Sequence, residues 1–224
     1  MKKWIALAAF SLATSACAQQ AKPSKPLATE EEKTLYAVGL AVSKSLEPFA
    51  LTPAELELVQ RGVHDGSAGK PEVKLEDYQQ KVQEMVRARL AKKAEKEKEK
   101  AAPALAAAAA EKGAVKTANG SVVVPQKEGT GATPGPADTV KVHYTGKLLD
   151  GTTFDSSVQR GQPIEFALNQ VIGCWTEGLQ KMKVGGKAKL VCPPEAAYGE
   201  QGRPPVIPGN SVLTFDVELL DVKK

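Results

Sequence analysis

At Gly113 the hydrophobic rhythm of this chain changes, and that change limits the architectures open to it. Before Gly113 the apolar residues fall at helical spacing: Leu35, Val38, Val42, Leu46 and Phe49, then Leu56, Val59 and Val63, then Leu75, Tyr78, Val82, Met85 and Leu90. After it they alternate. Val140, Val142 and Tyr144 share one face of a strand predicted over 139–148, with Lys141, His143 and Thr145 on the other. Ile164, Phe166 and Leu168 alternate again, and further strands are predicted over 121–124, 188–192 and 211–222. Trp175, Leu179 and Met182 form one short helical stripe between Gly173 and Gly185. The pattern predicts an α+β protein: an all-α region, then a curved antiparallel sheet wrapped around a short helix.

Local signals mark the helix boundaries. Thr29 followed by Glu30, Glu31 and Glu32 suits a capped start with acids at the positive end of the helix dipole. Pro48 ends or bends that helix, Thr52-Pro53-Ala54-Glu55 starts the next, and Gly66 to Gly69 stops it. A third helix is predicted from near Lys74. Beyond Leu90 it loses its apolar stripe and becomes KKAEKEKEK over 92–100, then Ala-rich to Ala110. A helix polar all round and held by local Glu–Lys pairs reads as a solvated spacer. From Leu75 to Glu111 it would reach about 50 Å, with Pro103 predicting a kink or break. The divisions expected are a helical dimerisation region over 30–73, a linker helix over 74–112 and a sheet domain over 113–224. The first two helices are too short for a core of their own. Their stripes pack either on the following domain or on a second copy; the third helix leads away from them, which favours a homodimer.

The first 18 residues combine Lys2 and Lys3, an apolar run from Trp4 to Leu12, and small residues, as an export signal does. The run is too short to span a bilayer. Ala16-Cys17-Ala18 fits cleavage before Gln19. Thr14-Ser15-Ala16-Cys17 also resembles a bacterial lipoprotein box, with Thr14 in place of the usual Leu and Cys17 as the acylated residue. Both routes take the chain out of the cytoplasm, behind a polar tether over 19–29. Loss of Lys2 and Lys3 brings the net charge from +4 to +2, and the lysines of 92–100 alternate with glutamates, so nothing here tracks a nucleic-acid backbone. Two cysteines remain, Cys174 and Cys192. Either they form a disulfide, which an oxidising compartment and an even count favour, or they are separate buried thiols.

Chemically reactive groups are scarce. No Ser/Cys–His–Asp set is visible, His64 and His143 with two cysteines give no metal spacing, and Gly129-Thr130-Gly131 lacks the lysine of a phosphate loop. No cofactor is called for. What 171–210 does concentrate is Trp175, Tyr198 and aliphatic side chains. The segments VKVHYTGKLLDGTTFDSS (140–157), RGQPIEFALNQVIGCWTEGLQKMKVGGKAKL (160–190) and PPEAAYGEQGRPPVIPGNSVLTFDVELL (193–220) closely resemble the FK506-binding proteins, the FKBP-type peptidyl-prolyl cis-trans isomerases. The N-terminal part more loosely resembles the dimerisation region and linker helix of periplasmic Mip/FkpA-type members.

The resemblance implies a proline-binding pocket with Tyr144, Phe154, Asp155, Trp175, Tyr198 and Phe215 as its catalytic set and Phe166, Val171, Ile172 and Ile207 contacting substrate. Trp175 would be the floor, with Tyr144, Phe166 and Phe215 as walls. The Ile172 N–H and the Tyr198 hydroxyl would bind substrate carbonyls, and Asp155 would lie beside the twisting imide. The family usually has Gly directly before this Trp; here Cys174 stands there, and a bond to Cys192 would brace the floor. Arg203 stands where many members carry His or another residue over the rim. Implied partners are proline-containing unfolded or exported proteins, FK506-type macrolides and a second copy of the chain, with membrane contact only through a lipid on Cys17. The implied location is the periplasm, at the outer membrane if Cys17 is acylated. An alternative of another class is a dimeric holdase-type chaperone in which isomerisation is incidental.

Overall fold

The computed structural model describes residues 26–224, so the export signal and Cys17 lie outside the described residues. The chain divides into two compact units, one ending at Val42 and the other running from Ser43 to Lys224.

Helix α1 (Glu30–Ser45) accounts for most of the described part of the first unit. Thr29 and Glu32 cap each other: Thr29 Oγ1 accepts from the Glu32 N–H at 3.1 Å, and a Glu32 carboxylate oxygen accepts from the Thr29 N–H at 2.9 Å. None of the α1 residues is buried, and Leu35, Tyr36 and Val38 are all more than half exposed.

In the second unit, Thr52 and Glu55 form the same reciprocal box at the start of α2 (Pro53–Ser67), again with no buried residue. Glu55 has a second partner. Arg89, in the next α-helix along the chain, donates to it at 2.6 Å and also reaches the Phe49 carbonyl. The Arg89 hydrogen bond, helped by those from Thr52, pulls the Glu55 carboxyl down to about 2. Its sign follows: the contribution is complete above the ordinary carboxylate range and is lost as pH falls toward 2.

Helix α3 begins later than the sequence predicts. Leu75–Tyr78 is a tight 3-10 turn, and α3 itself runs Gln79–Ala109. It passes through Pro103 without a break. Good helix formers surround Pro103 (Ala101, Ala102, Ala104, Leu105), and the helix is anchored on its far side. That anchoring is a departure from the solvated spacer predicted. Ala108 is buried with Val122, Val124, Val191 and Val212, and Ala101 and Leu105 pack beside them. Glu111 pairs with Lys189 at 2.6 Å, and the Asn210 side chain reaches the Ala94 carbonyl at 3.5 Å.

The sheet is antiparallel throughout, in the order β1 (Val115–Lys116), β2 (Val122–Lys127), β6 (Lys187–Cys192), β7 (Leu213–Lys223), β3 (Thr139–Leu148), β4 (Thr153–Ser156). Strand β5 (Ile164–Ala167) pairs with β3 ahead of β4, along Thr139 to Val142. The alternation predicted for β3 holds residue by residue, with Val140, Val142, Tyr144 and Leu148 buried. Opposite them on β7 lie Leu219, Val217 and Leu213. This face packs around α4 (Gly173–Leu179) and forms the main core with Leu190, Cys192 and Leu168. The end of α3 covers the other face. Val122, Val123 and Val124 are consecutive and all buried because their strand lies between two apolar layers.

Candidate active site

Helix α4 starts where Ile172 ends an extended stretch, and its first turn carries Cys174 and Trp175. Thr176 ties this turn down by donating to the Leu168 carbonyl at 2.6 Å. Cys174 is joined to Cys192, at the end of β6, with Cα atoms 5.5 Å apart and both residues fully buried. The helix that holds Trp175 is thus covalently tied to the sheet beneath it.

Trp175 is 4% exposed and forms the floor of a cavity of about 390 Å³. Three rings stand nearly perpendicular or tilted around it. Its centroid lies 5.1 Å from Tyr144, 5.6 Å from Phe166 and 5.4 Å from Phe215, each edge-on. Phe154 meets Phe215 edge-on at 5.6 Å. These geometries suit the aromatic quadrupole and set the walls as one packed unit. Gly146 is needed for that closure, because a Cβ there would come within 2.7 Å of Phe154 and 2.9 Å of Phe215. The indole N–H of Trp175 is buried and has no hydrogen-bond partner among the described residues.

Polar groups sit at one side. Tyr144 donates its hydroxyl to one Asp155 oxygen, Arg160 donates to the other, and Arg160 also donates to the Tyr144 hydroxyl at 3.2 Å. The guanidinium lies 5.8 Å from the Tyr144 ring centroid. Ser157 fixes Tyr144 from behind by accepting its backbone N–H at 2.8 Å. Burial pushes the Asp155 carboxyl up, but the hydrogen bonds from Tyr144 and Arg160 outweigh it and hold the group below the usual carboxylate range. Burial, followed by the hydrogen bond to Asp155, raises the Tyr144 phenol. The signs agree. Asp155 loses its charge only as pH falls through its depressed value, and Tyr144 loses its proton only as pH rises through its elevated one. Any activity resting on these two groups is therefore expected to be flat between roughly pH 5 and pH 9. A pH profile of kcat/KM at constant ionic strength checks this; a titration step of more than about threefold near pH 7, removed by Asp155→Asn, would contradict it.

The structure brings most of the sequence-predicted set together. Tyr144, Phe154, Asp155, Phe166, Val171, Ile172, Trp175, Tyr198 and Phe215 all line the cavity. Ile207 does not. It is 4% exposed and borders an adjoining hollow of about 360 Å³, together with Phe154, Asp155, Tyr198, Arg203, Pro204 and Val206. Neither the Ile172 N–H nor the Tyr198 hydroxyl bonds another of the described residues, so both are available to a ligand. Gln170 and Arg203 complete the lining. Gln170 and Arg160 were not anticipated as site residues. Arg160 carries no periodic signal: the turn after β4 brings it back over Asp155, five positions earlier. His143 lies outside the lining, with its ring nitrogen 3.2 Å from the Ser157 hydroxyl.

Residues 131–220 match the sequence profile described as FKBP-type peptidyl-prolyl cis-trans isomerase. Residues 31–122 match that of the domain amino terminal to FKBP-type peptidyl-prolyl isomerase. The FKBP-type peptidyl-prolyl cis-trans isomerase FkpA of Aeromonas hydrophila is 41% identical over 224 aligned residues, which cover 92% of this chain and 83% of the relative. A probable FKBP-type isomerase of Haemophilus influenzae is 42% identical, covering 86% of each. The crystal structure of FkpA from Escherichia coli superposes with a TM-score of 0.61 at 37% identity, covering 88% of this chain and 99% of that one. Both halves of the chain match in the right order, and the relatives are aligned along most of their length. The chain belongs to the FKBP-type peptidyl-prolyl cis-trans isomerases.

Proposed function

We propose that this isomerase acts outside the cytoplasm, in the periplasm, on X–Pro bonds of exported proteins, and that it does so by seating the proline ring in the aromatic cavity over Trp175. The observation that carries this reading is the apolar cavity itself. Trp175 is packed edge-on by three rings, and Asp155 at its side already has two hydrogen-bond partners.

An X–Pro amide rotates slowly because twisting destroys its resonance, at a barrier of about 20 kcal/mol. The planar amide separates charge and is stabilised by water. The twisted form separates less and is favoured, in relative terms, by a dry cavity. The Ile172 N–H and Tyr198 hydroxyl hold carbonyls of the substrate, and Asp155 lies beside the imide. No proton, nucleophile or cofactor takes part. On the full chain, NMR exchange or a protease-coupled assay with a short X–Pro peptide is expected to show catalysis that an FK506-type macrolide blocks. A rate equal to the uncatalysed one, indifferent to the macrolide, overturns the reading.

The helical region supports a second part of the proposal. Leu35 and Val38 on α1, and Val63 on α2, are each more than half exposed although they lie on apolar stripes. We assign these faces to homodimer contacts. Client binding in a holdase would use the same kind of surface. Leu35→Asp with Val63→Asp separates these roles from catalysis. Sedimentation is expected to show a monomer, peptide isomerisation to persist, and suppression of client aggregation to fall. A dimer that survives both substitutions removes the assignment. The mass of the mature N-terminus reports whether Cys17 is acylated or removed.

A further inference from the structure

Charge at the cavity mouth is unbalanced. Of the residues lining the aromatic cavity, only Asp155 and Arg203 are charged, and the Asp155 carboxylate is matched by Arg160. Arg203 is not matched. It is exposed, and among the described residues its guanidinium forms no ion pair and no hydrogen bond, although Glu200 lies in the same loop. Its backbone is held rigidly nonetheless. The Arg203 N–H donates to the Ile207 carbonyl at 2.7 Å and its carbonyl accepts from the Ile207 N–H at 3.0 Å, closing a small hairpin. The loop carrying this hairpin is stitched down at its far end, where the Asn210 N–H donates to the Gly199 carbonyl at 2.9 Å. Arg203 is therefore an exposed cation carried on a hydrogen-bonded stretch of backbone.

Its position selects the part of a substrate it meets. Phe154, Asp155, Tyr198 and Arg203 border both the aromatic cavity and the adjoining hollow. If the proline ring occupies the cavity, as proposed above, Asp155 flanks the imide, and the residue on the other side of that imide extends toward the hollow. That residue is the one preceding proline. The hollow's remaining walls, Pro204, Val206 and Ile207, are uncharged, and no free carboxylate offsets the guanidinium there.

We propose that Arg203 is a specificity-determining residue: among polar residues preceding proline, it makes this isomerase favour an acidic one over a neutral or basic one. This inference rests on the assignment of the aromatic cavity to the proline ring. An exposed pair of opposite charges is a weak contact, so the preference is a matter of a few-fold rather than exclusive selection. It is carried by the association rate and KM more than by kcat, since Arg203 attracts the flanking residue and does not touch the imide.

The experiment measures kcat/KM of the full chain on three peptides that differ only in the residue before proline: Glu, Gln and Lys. The expected order is Glu over Gln over Lys, with roughly threefold between successive peptides at low salt, compressed toward unity at about 0.5 M salt. Arg203→Gln is expected to remove the ratio, Arg203→Lys to retain most of it, and Arg203→Glu to invert it. A merely structural role would change all three peptides together and leave the ratio intact. A ratio unaltered in Arg203→Gln, or a wild-type preference for Lys, overturns the proposal while leaving the cavity assignment standing. Absence of catalysis on all three peptides overturns both.

Discussion

Trp175→Ala is expected to lower kcat/KM on a short X–Pro peptide by roughly ten- to a hundredfold, a loss equivalent to about 1.4 to 2.7 kcal/mol of transition-state stabilisation. Two effects combine. The indole is the floor of the cavity, and it is also the hub on which Tyr144, Phe166 and Phe215 rest edge-on. Truncation admits water where the twisted amide needs a dry surface, and it releases the walls that hold the proline ring in register. The same change removes a nearly buried aromatic, which costs about 3–5 kcal/mol of folding stability. Thermal unfolding must therefore be followed alongside kinetics. Trp175→Leu keeps an apolar floor and leaves a smaller void. It is expected to recover much of the stability and only part of the activity, because volume returns and the flat platform does not. A folded Trp175→Ala protein with unchanged kcat/KM would show that the proline ring binds elsewhere.

The second large effect concerns Cys174 and Cys192. The bond closes a loop with a sequence separation of 18 residues. Restricting a loop of that length in the unfolded chain is worth about 3 kcal/mol, so Cys174→Ala with Cys192→Ala is expected to lower Tm by roughly 6–12 °C for a unit of this size. The location of the bond adds to its effect. Cys174 immediately precedes Trp175 in the first turn of α4, and Cys192 ends β6, opposite Leu213. Without the bond, the short helix is held to the sheet by packing and by the Thr176 hydrogen bond to Leu168. Hydrogen exchange in α4 is expected to rise more than in β3 or β7. Alkylation in denaturant tests the bond itself: neither cysteine is expected to react before reductant is added. Two thiols labelled without reductant would remove this account.

Much of the cavity was legible before its geometry was known, and its gaps are instructive. Alternation in β3 places Tyr144 on the buried face, and the same rule places Phe215 there on β7. Joining Trp175, Phe154 and Tyr198 to them needed the resemblance, because a pocket whose residues come from five separate segments has no local period. Arg160 was missed for a related reason. Its partner is set by a loop that doubles back, and an arginine on a polar loop looks the same in sequence whether it meets a carboxylate or water. Ile207 was placed in the cavity but lies at the neighbouring hollow, since the Arg203–Ile207 hairpin turns it inward beside Tyr198.

The docking of α3 shows the division most clearly. Its sequence over 92–110 is charged, then Ala-rich, with no stripe wide enough to demand a partner, and so it reads as a spacer. The partner carried an unread signal instead: only a short strand is expected over 121–124, yet its three consecutive valines suit one covered on both faces. Alone, the sequence determined that a helical region gives way to an antiparallel sheet, where α1 and α2 start, and which face of β3 and β7 is apolar. These follow from local periodicity and capping, which each segment carries within itself. Tertiary structure alone decided that Ala108 and Leu105 close the second core, that Arg160 neutralises Asp155, and that Arg203 stands unmatched at the mouth. Those outcomes depend on which distant segments meet, and small or charged side chains accept many neighbours with nearly equal energy until the chain has closed around them.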